Sequence, residues 1–284
     1  MALGGNPVFN GKNFRSATRG NAAAGFGTTT YAGQTVANQQ QLEHMYNQPS
    51  AGPAQTGRMT FDDVIVKTLL SLGVVLVGAA IPAFLVPGLA LPLMVLGALG
   101  GFVLGLVNSF KREPSPALIL AYAGLEGLFL GGLTMFFESM FPGIALQALL
   151  GTLIVFGVTL ALFKSGKVRA TPKAMKFFLI AIISYAAFSL LNLGLMVFGA
   201  TDGMFGLRSA DIPGTNIPFG LVMGLLAIGL AAFSLIVDFT SISEGVRQGA
   251  PQKYSWTAAF GLTVTLVWLY VEILRLLAIL RGDE

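Results

Sequence analysis

The chain has 284 residues, of which 54% are hydrophobic and only 11% charged, with a mean hydropathy of +0.75; soluble domains carry about 25% charged residues, so this composition is that of a polytopic membrane protein. Its lack of cysteine excludes disulfides, thiolate catalysis and Cys-based zinc or iron–sulfur sites, and its one histidine, His44, lies in a polar stretch, away from any membrane segment that could use it for Ser-His-Asp hydrolysis or a histidine-rich metal site. The net charge of +4 does not point to nucleic acid, because the basic residues gather in alternate connections between apolar runs.

Residues 1–58 are rich in Gly, Asn, Gln, Ala and Thr, with scattered Lys12, Arg15 and Arg19. They are expected to form a flexible polar tail, with Asn6 to Phe9 and Tyr31 as the features of an alternative binding arm. Residues 59–284 form the membrane domain. Seven apolar segments follow, near Val64–Val86, Leu89–Phe110, Ala117–Phe137, Ile144–Phe163, Phe177–Phe198, Phe219–Ser243 and Trp256–Leu280. Each approaches the roughly 20 residues a helix needs to cross the hydrocarbon layer. Thr60, followed by Asp62 and Asp63, is a start signal for the first helix. Pro82, Pro87 and Pro92 crowd the first connection and predict a tight hairpin. Of 17 Lys and Arg residues, 14 fall on the N-terminal side and in the second, fourth and sixth connections. The expectation is an all-α bundle of seven transmembrane helices, N-terminus cytosolic and C-terminus outside. Small residues recur four apart at Gly97, Gly101 and Gly105, at Gly127 and Gly131, and at Gly220 and Gly224. Packing within one bundle is the simpler explanation, dimerisation the alternative.

Four ionisable side chains lie deep in apolar runs: Glu126, Asp238, Glu272 and Arg275. A charge near the bilayer centre costs about 2.5 to 3.5 kcal/mol on insertion scales, which makes each a candidate functional group. Glu126, beside Gly127, is expected to face another helix, either as a hydrogen-bonded acid or as part of an ion path. Glu272 and Arg275, three residues apart, can pair on one helical face. Asp238 has no basic residue within a turn. If the sixth helix ends near Gly245, Asp238 lies about 10 Å from that end; counted from Tyr254 in the seventh helix, Thr265 lies roughly 16 Å in and Glu272 roughly 27 Å in. Thr265 is therefore the better match in depth to Asp238. Catalytic chemistry finds no ligand set or nucleophile here, so neither an enzyme nor a cofactor is expected.

The glycine-rich LEGLFLGGL of the third helix, LIVDFTSI ending the sixth, and LTVTLVWLYVEILRLLAIL in the seventh resemble the transmembrane Bax inhibitor motif family, in a bacterial branch, over about residues 60–282. The resemblance implies a pH-sensitive calcium leak in the cell membrane, with a hydrogen-bonded pair of acids, one each from the sixth and seventh helices, that senses protonation. The sixth-helix acid falls on Asp238. Aligning the terminal Arg of the family pattern on Arg275 puts Thr265 where the family has its second acid, and makes Glu272 an acid of this branch. Asp238, Glu272 and Glu126 are thus the expected ion-binding or proton-sensing groups, with Asp238 and Glu272 as calcium ligands and Thr265 and Arg275 in support. The expected partners are the lipid bilayer and calcium or protons, with no nucleic acid; the oligomeric state is left open, a monomer being slightly favoured. A non-conducting scaffold acting through protein contacts, and a proton-coupled transporter, are the alternative functions.

Overall fold

The computed structural model describes residues 57–282 apart from 167, 169, 202 and 216. All but the end of the expected tail, including Lys12, Arg15, Arg19 and His44, lies outside the described residues. The seven apolar segments are all helical: α1 (Phe61–Ala80), α2 (Ala90–Phe110), α3 (Pro116–Met140), α4 (Ile144–Lys164), α5 (Pro172–Val197), α6 (Phe219–Arg247) and α7 (Ser255–Gly282). Each belongs to a helical run long and apolar enough to cross a membrane.

Local chemistry sets the helix ends. Thr60 caps α1 by accepting a hydrogen bond from the Asp63 amide at 3.1 Å, so the expected start signal operates. Helix α5 begins at Pro172, ahead of its apolar run. Thr171 caps it, accepting from the Ala174 amide at 3.2 Å, and proline at the first helical position gives up an N–H that would have had no partner. At the other end of α1 the chain widens into a π-helical turn, Ile81–Leu85, followed by a 3-10 turn, Pro87–Leu89. That connection is short, as its prolines predict, but α1 and α2 do not form a packed hairpin: both pack chiefly against α3.

Glycine explains the departure. A Cβ on Gly127 or Gly131 of α3 would collide with the carbonyl oxygens of Val75 and Ala79 on α1, and a Cβ on Gly97 of α2 would lie 2.5 Å from the Leu125 carbonyl oxygen of α3. Two backbones therefore lie directly on α3, one on each side. Gly101 faces Glu126, while Gly220 and Gly224 receive the carbonyl oxygen of Arg208 and the side chain of Leu276. These glycine faces are all used inside the bundle, where close backbone contact replaces the hydrophobic drive that lipid removes.

Helix α7 is the centre. The interior hides 67% of its most apolar stretch, against 11 to 39% for the other six spans, and it packs on α1, α3, α4 and α6. Leu269, Leu274 and Ala278 of α7 meet Leu235 and Ile242 of α6 and Ile144 and Ala148 of α4 in the main core. Helix α5 is peripheral, packing chiefly on α6 and on a 3-10 turn, Gly206–Ser209, in the connection between them. Large apolar side chains such as Leu99 and Phe102 of α2 and Ile183 and Leu190 of α5 point outward. Such a continuous apolar exterior suits lipid rather than water.

These contacts predict opposite outcomes for two glycines. Gly131→Ala must separate α1 from α3 and should lower stability by about 1–3 kcal/mol, whereas Gly157→Ala, with nothing within 4 Å of its added Cβ, should be neutral or stabilising. Unfolding of the detergent-solubilised variants in a denaturing-detergent titration measures the difference.

Candidate functional site

Helix α7 carries two polar clusters about 10 Å apart along its axis, the rise of seven residues. The first joins α7 to α6. Thr265 Oγ1 donates to Asp238 Oδ2 at 2.8 Å, and Ser234, one turn before Asp238, lies 3.3 Å from Thr265 Oγ1. Because the single hydroxyl proton of Thr265 is committed to the carboxylate, Ser234 must be the donor in the second contact. The depth comparison from sequence therefore selected the correct partner for Asp238. Among the described residues no basic side chain forms an ion pair with Asp238.

Asp238 also borders a cavity of about 550 Å³. Lys111 and Arg112 from the connection after α2, Tyr254 before α7, and Ser241 and Gly245 near the end of α6 complete much of its lining. The cavity thus runs from the end of the bundle that bears these basic residues to the carboxyl group. At that end the chain before α1 pairs with the α6–α7 connection, the Met59 amide donating to the Ala250 carbonyl at 2.7 Å. Lys253 spans the surface to Glu113 at 2.7 Å, and this ammonium holds the exposed Glu113 carboxyl below its ordinary pKa.

The second cluster surrounds Glu272, which is 3% exposed. Arg275 Nη1 donates to both carboxylate oxygens at 3.1 and 3.0 Å, as the spacing of three predicts. Tyr185 of α5 donates to Oε1 at 2.5 Å and Trp268 Nε1 at 3.2 Å. A second guanidinium is also present: Arg208 Nη1 lies 3.6 Å from Glu272 Oε2. Arg208 comes from the 3-10 turn between α5 and α6, yet it is not a solvated loop charge. Its side chain turns inward, donates through Nη2 to Tyr185 Oη at 3.0 Å and Ser189 Oγ at 2.9 Å, and lies over the rings of Tyr185 and Phe188. One carboxylate therefore meets two guanidinium groups.

The oxygens of Glu272 already face two guanidinium groups and two neutral donors. Asp238 presents hard carboxylate oxygens to a cavity that Lys111 and Arg112 also line without pairing with it. Glu126 lies apart. Its carboxyl turns toward α2, where a Cβ on Gly101 would come within 2.9 Å of Oε1, and it interacts with Tyr122 one turn earlier. No hydrogen bond or ion pair links it to either cluster.

The chain matches the family described as Bax inhibitor 1 like over residues 6–282. It belongs to that family. The Bax inhibitor match begins within the first ten residues, so it takes in the N-terminal segment that the resemblance, starting near residue 60, had left out. No match was found among curated protein sequences. The Bax inhibitor assignment and the seven apolar helices together make this a multi-pass membrane protein in contact with the lipid bilayer.

The Glu272 cluster predicts strong non-additivity. Glu272→Ala leaves buried guanidinium groups without their counter-charge and should cost about 3–5 kcal/mol. Combining it with Arg208→Met removes one of those orphaned charges and should recover part of the loss. A double-mutant cycle on detergent-solubilised protein checks the sign of the coupling.

Proposed function

We propose that this protein is a pH-sensitive cation leak of the Bax inhibitor type, with calcium as its permeant ion and Asp238 as the group that responds to both ion and proton. The observation that carries this reading is the carboxyl of Asp238 bordering a cavity of about 550 Å³, hydrogen-bonded to Thr265 and unpaired with any described cation. An ionised Asp238 draws a cation to the mid-bundle. The Thr265 and Ser234 hydroxyls add neutral oxygen donors beside it, and such an open, partial set can release an ion that a closed cage would retain. Protonation removes the negative charge and with it the attraction.

Glu126 is proposed as a secondary acidic group near the α2–α3 contact, outside the path through Asp238. The distribution of Lys and Arg supports an orientation in which the cavity opens to the cytosol and the C-terminus lies outside, in the cell membrane of a bacterium. In this reading the chain acts without a catalytic step or a cofactor, and a monomer suffices, since the cavity is lined within one chain.

Calcium efflux from liposomes containing the purified protein tests the proposal. Efflux should fall as pH falls, because proton binding neutralises the attracting group. Asp238→Asn should lower efflux about tenfold, the change expected when roughly 1.4 kcal/mol of attraction is lost, and should flatten the pH dependence. Thr265→Val should have a smaller effect of the same sign. An Asp238→Asn protein with wild-type flux and pH profile would overturn this reading, and a protein passing no calcium at any pH would favour a non-conducting regulator.

A further inference from the structure

In the connection between α5 and α6, Gly206 and Arg208 are buried against the bundle, and the buried side chains of Asn192, Tyr185 and Glu272 answer this turn. Asn192 of α5 is 7% exposed. It reads the backbone of the connection at two points, accepting from the Leu207 amide at 2.7 Å and donating to the Phe205 carbonyl at 3.1 Å. Gly206, between them, has φ +62°, and a Cβ there would come within 2.6 Å of Asn192 Oδ1. Conformation and space both demand glycine at this position. Phe205 stacks on Phe137 of α3, centroids 6.0 Å apart and planes 8° from parallel. The Arg208 carbonyl oxygen then rests against Gly220 at the start of α6.

Arg208 completes this docked element. Its side chain is 3% exposed, and Nη1 has no hydrogen-bond partner although it lies 3.6 Å from Glu272. Burying a guanidinium with one nitrogen unsatisfied is costly. Arg275 already serves as a counter-ion for Glu272, so the charge balance of α7 does not require Arg208. What Arg208 adds is a cation, tethered to a short turn, seated on a buried carboxylate far along α7 from the Asp238 cavity.

We infer that the Gly203–Ser209 turn is a plug that closes the end of the bundle opposite the Asp238 cavity, held by Asn192 and by the charge of Arg208 on Glu272. Seated, Arg208 occupies the position at Glu272 that a mobile cation would otherwise take. Lifted, the plug takes Arg208 off Ser189, Tyr185 and Glu272 together. Lifting it also parts Phe205 from Phe137 of α3 and the Arg208 carbonyl from Gly220 of α6, while the glycine contacts that join α1 and α2 to α3 lie elsewhere in the bundle.

The absence of cysteine permits a direct test. A single cysteine placed by Ser189→Cys reports on access beneath Arg208 through its rate of labelling by a charged, membrane-impermeant maleimide, with the full-length protein in lipid nanodiscs so that both faces are open to reagent. Labelling should be slow in this background and at least about tenfold faster when Arg208→Gln or Asn192→Ala is added, since each removes strong contacts that hold the turn. Arg208→Lys, which keeps the charge, should remain slow. If labelling is already fast with Arg208 and Asn192 intact, or if Arg208→Gln leaves it unchanged, the plug does not exist. Rapid labelling in the lysine variant would mean that Arg208 holds the turn by packing rather than charge, which also overturns the inference. A second measurement rests on the leak reading: Arg208→Gln should raise calcium efflux, and Asp238→Asn on the same background should abolish the increase. If Asp238→Asn has no effect in any background, the leak reading fails, while the labelling rates still decide the plug.

Discussion

Withdrawal of one helix from lipid is the condition on which the rest of this structure depends. Carboxylates and guanidinium groups can be held at membrane depth only where other protein groups replace water. Helix α7 bears Thr265, Tyr270, Glu272 and Arg275, and it is the helix that the bundle encloses. Its neighbours supply the answering groups: Asp238 and Ser234 from α6, Thr134 of α3 at 2.8 Å from the Tyr270 hydroxyl, and Tyr185 from α5. The glycines of α3 serve the same end indirectly. By letting α1 and α2 close on α3, they fix one wall against which α7 can be buried.

The two clusters on α7 differ in the sign of what is left over. At Asp238 a carboxylate accepts one neutral hydroxyl, that of Thr265, and faces a cavity, so its ionised form leaves negative charge available to a solute. At Glu272 two guanidinium groups face a single carboxylate, so the surplus is positive. An ion path with an attracting site toward one end and a repelling site toward the other is asymmetric by construction. On the leak we propose, a cation at Asp238 would meet the positive cluster next, and of its two guanidinium groups only Arg208 is carried by a connection rather than by a long helix.

Much of this was legible in the residues before any coordinates. Seven apolar runs of membrane-crossing length gave seven helices, and the rise of 1.5 Å per residue was enough to pair Asp238 with Thr265 instead of Glu272. The Glu272–Arg275 contact followed from helical spacing. What the sequence could not place was Arg208. A lone basic residue between two helices looks like a solvated loop charge, and its burial depends on a turn geometry at Gly203 and Gly206 and on an asparagine and a tyrosine from an otherwise apolar helix. Tyr185 and Asn192 are separated by seven residues, two turns of one face, and that repeat was the available signal. Trp268, four residues before Glu272, was another, since residues at that spacing share a face. The α1–α2 connection was read as a packed hairpin for a related reason: the prolines showed where the chain turns, but not that α3 would be drawn between the two helices.

Helix α5 shows how polar contacts can set mobility in a membrane protein. Most helices here are held by backbone proximity or by interdigitated apolar side chains, interactions that lipid cannot imitate well because they depend on close fit. The two buried side chains of α5 are both polar, Tyr185 and Asn192, and both reach toward the turn that carries Arg208. Its outward face is apolar and exchanges freely with lipid chains, which leaves little preference for one position over another. The attachment of α5 joins these directional bonds to ring contacts with α6, Phe178 on Phe233 and Phe188 on Phe219. The charge on Arg208 is where the connection that follows α5 meets the central helix.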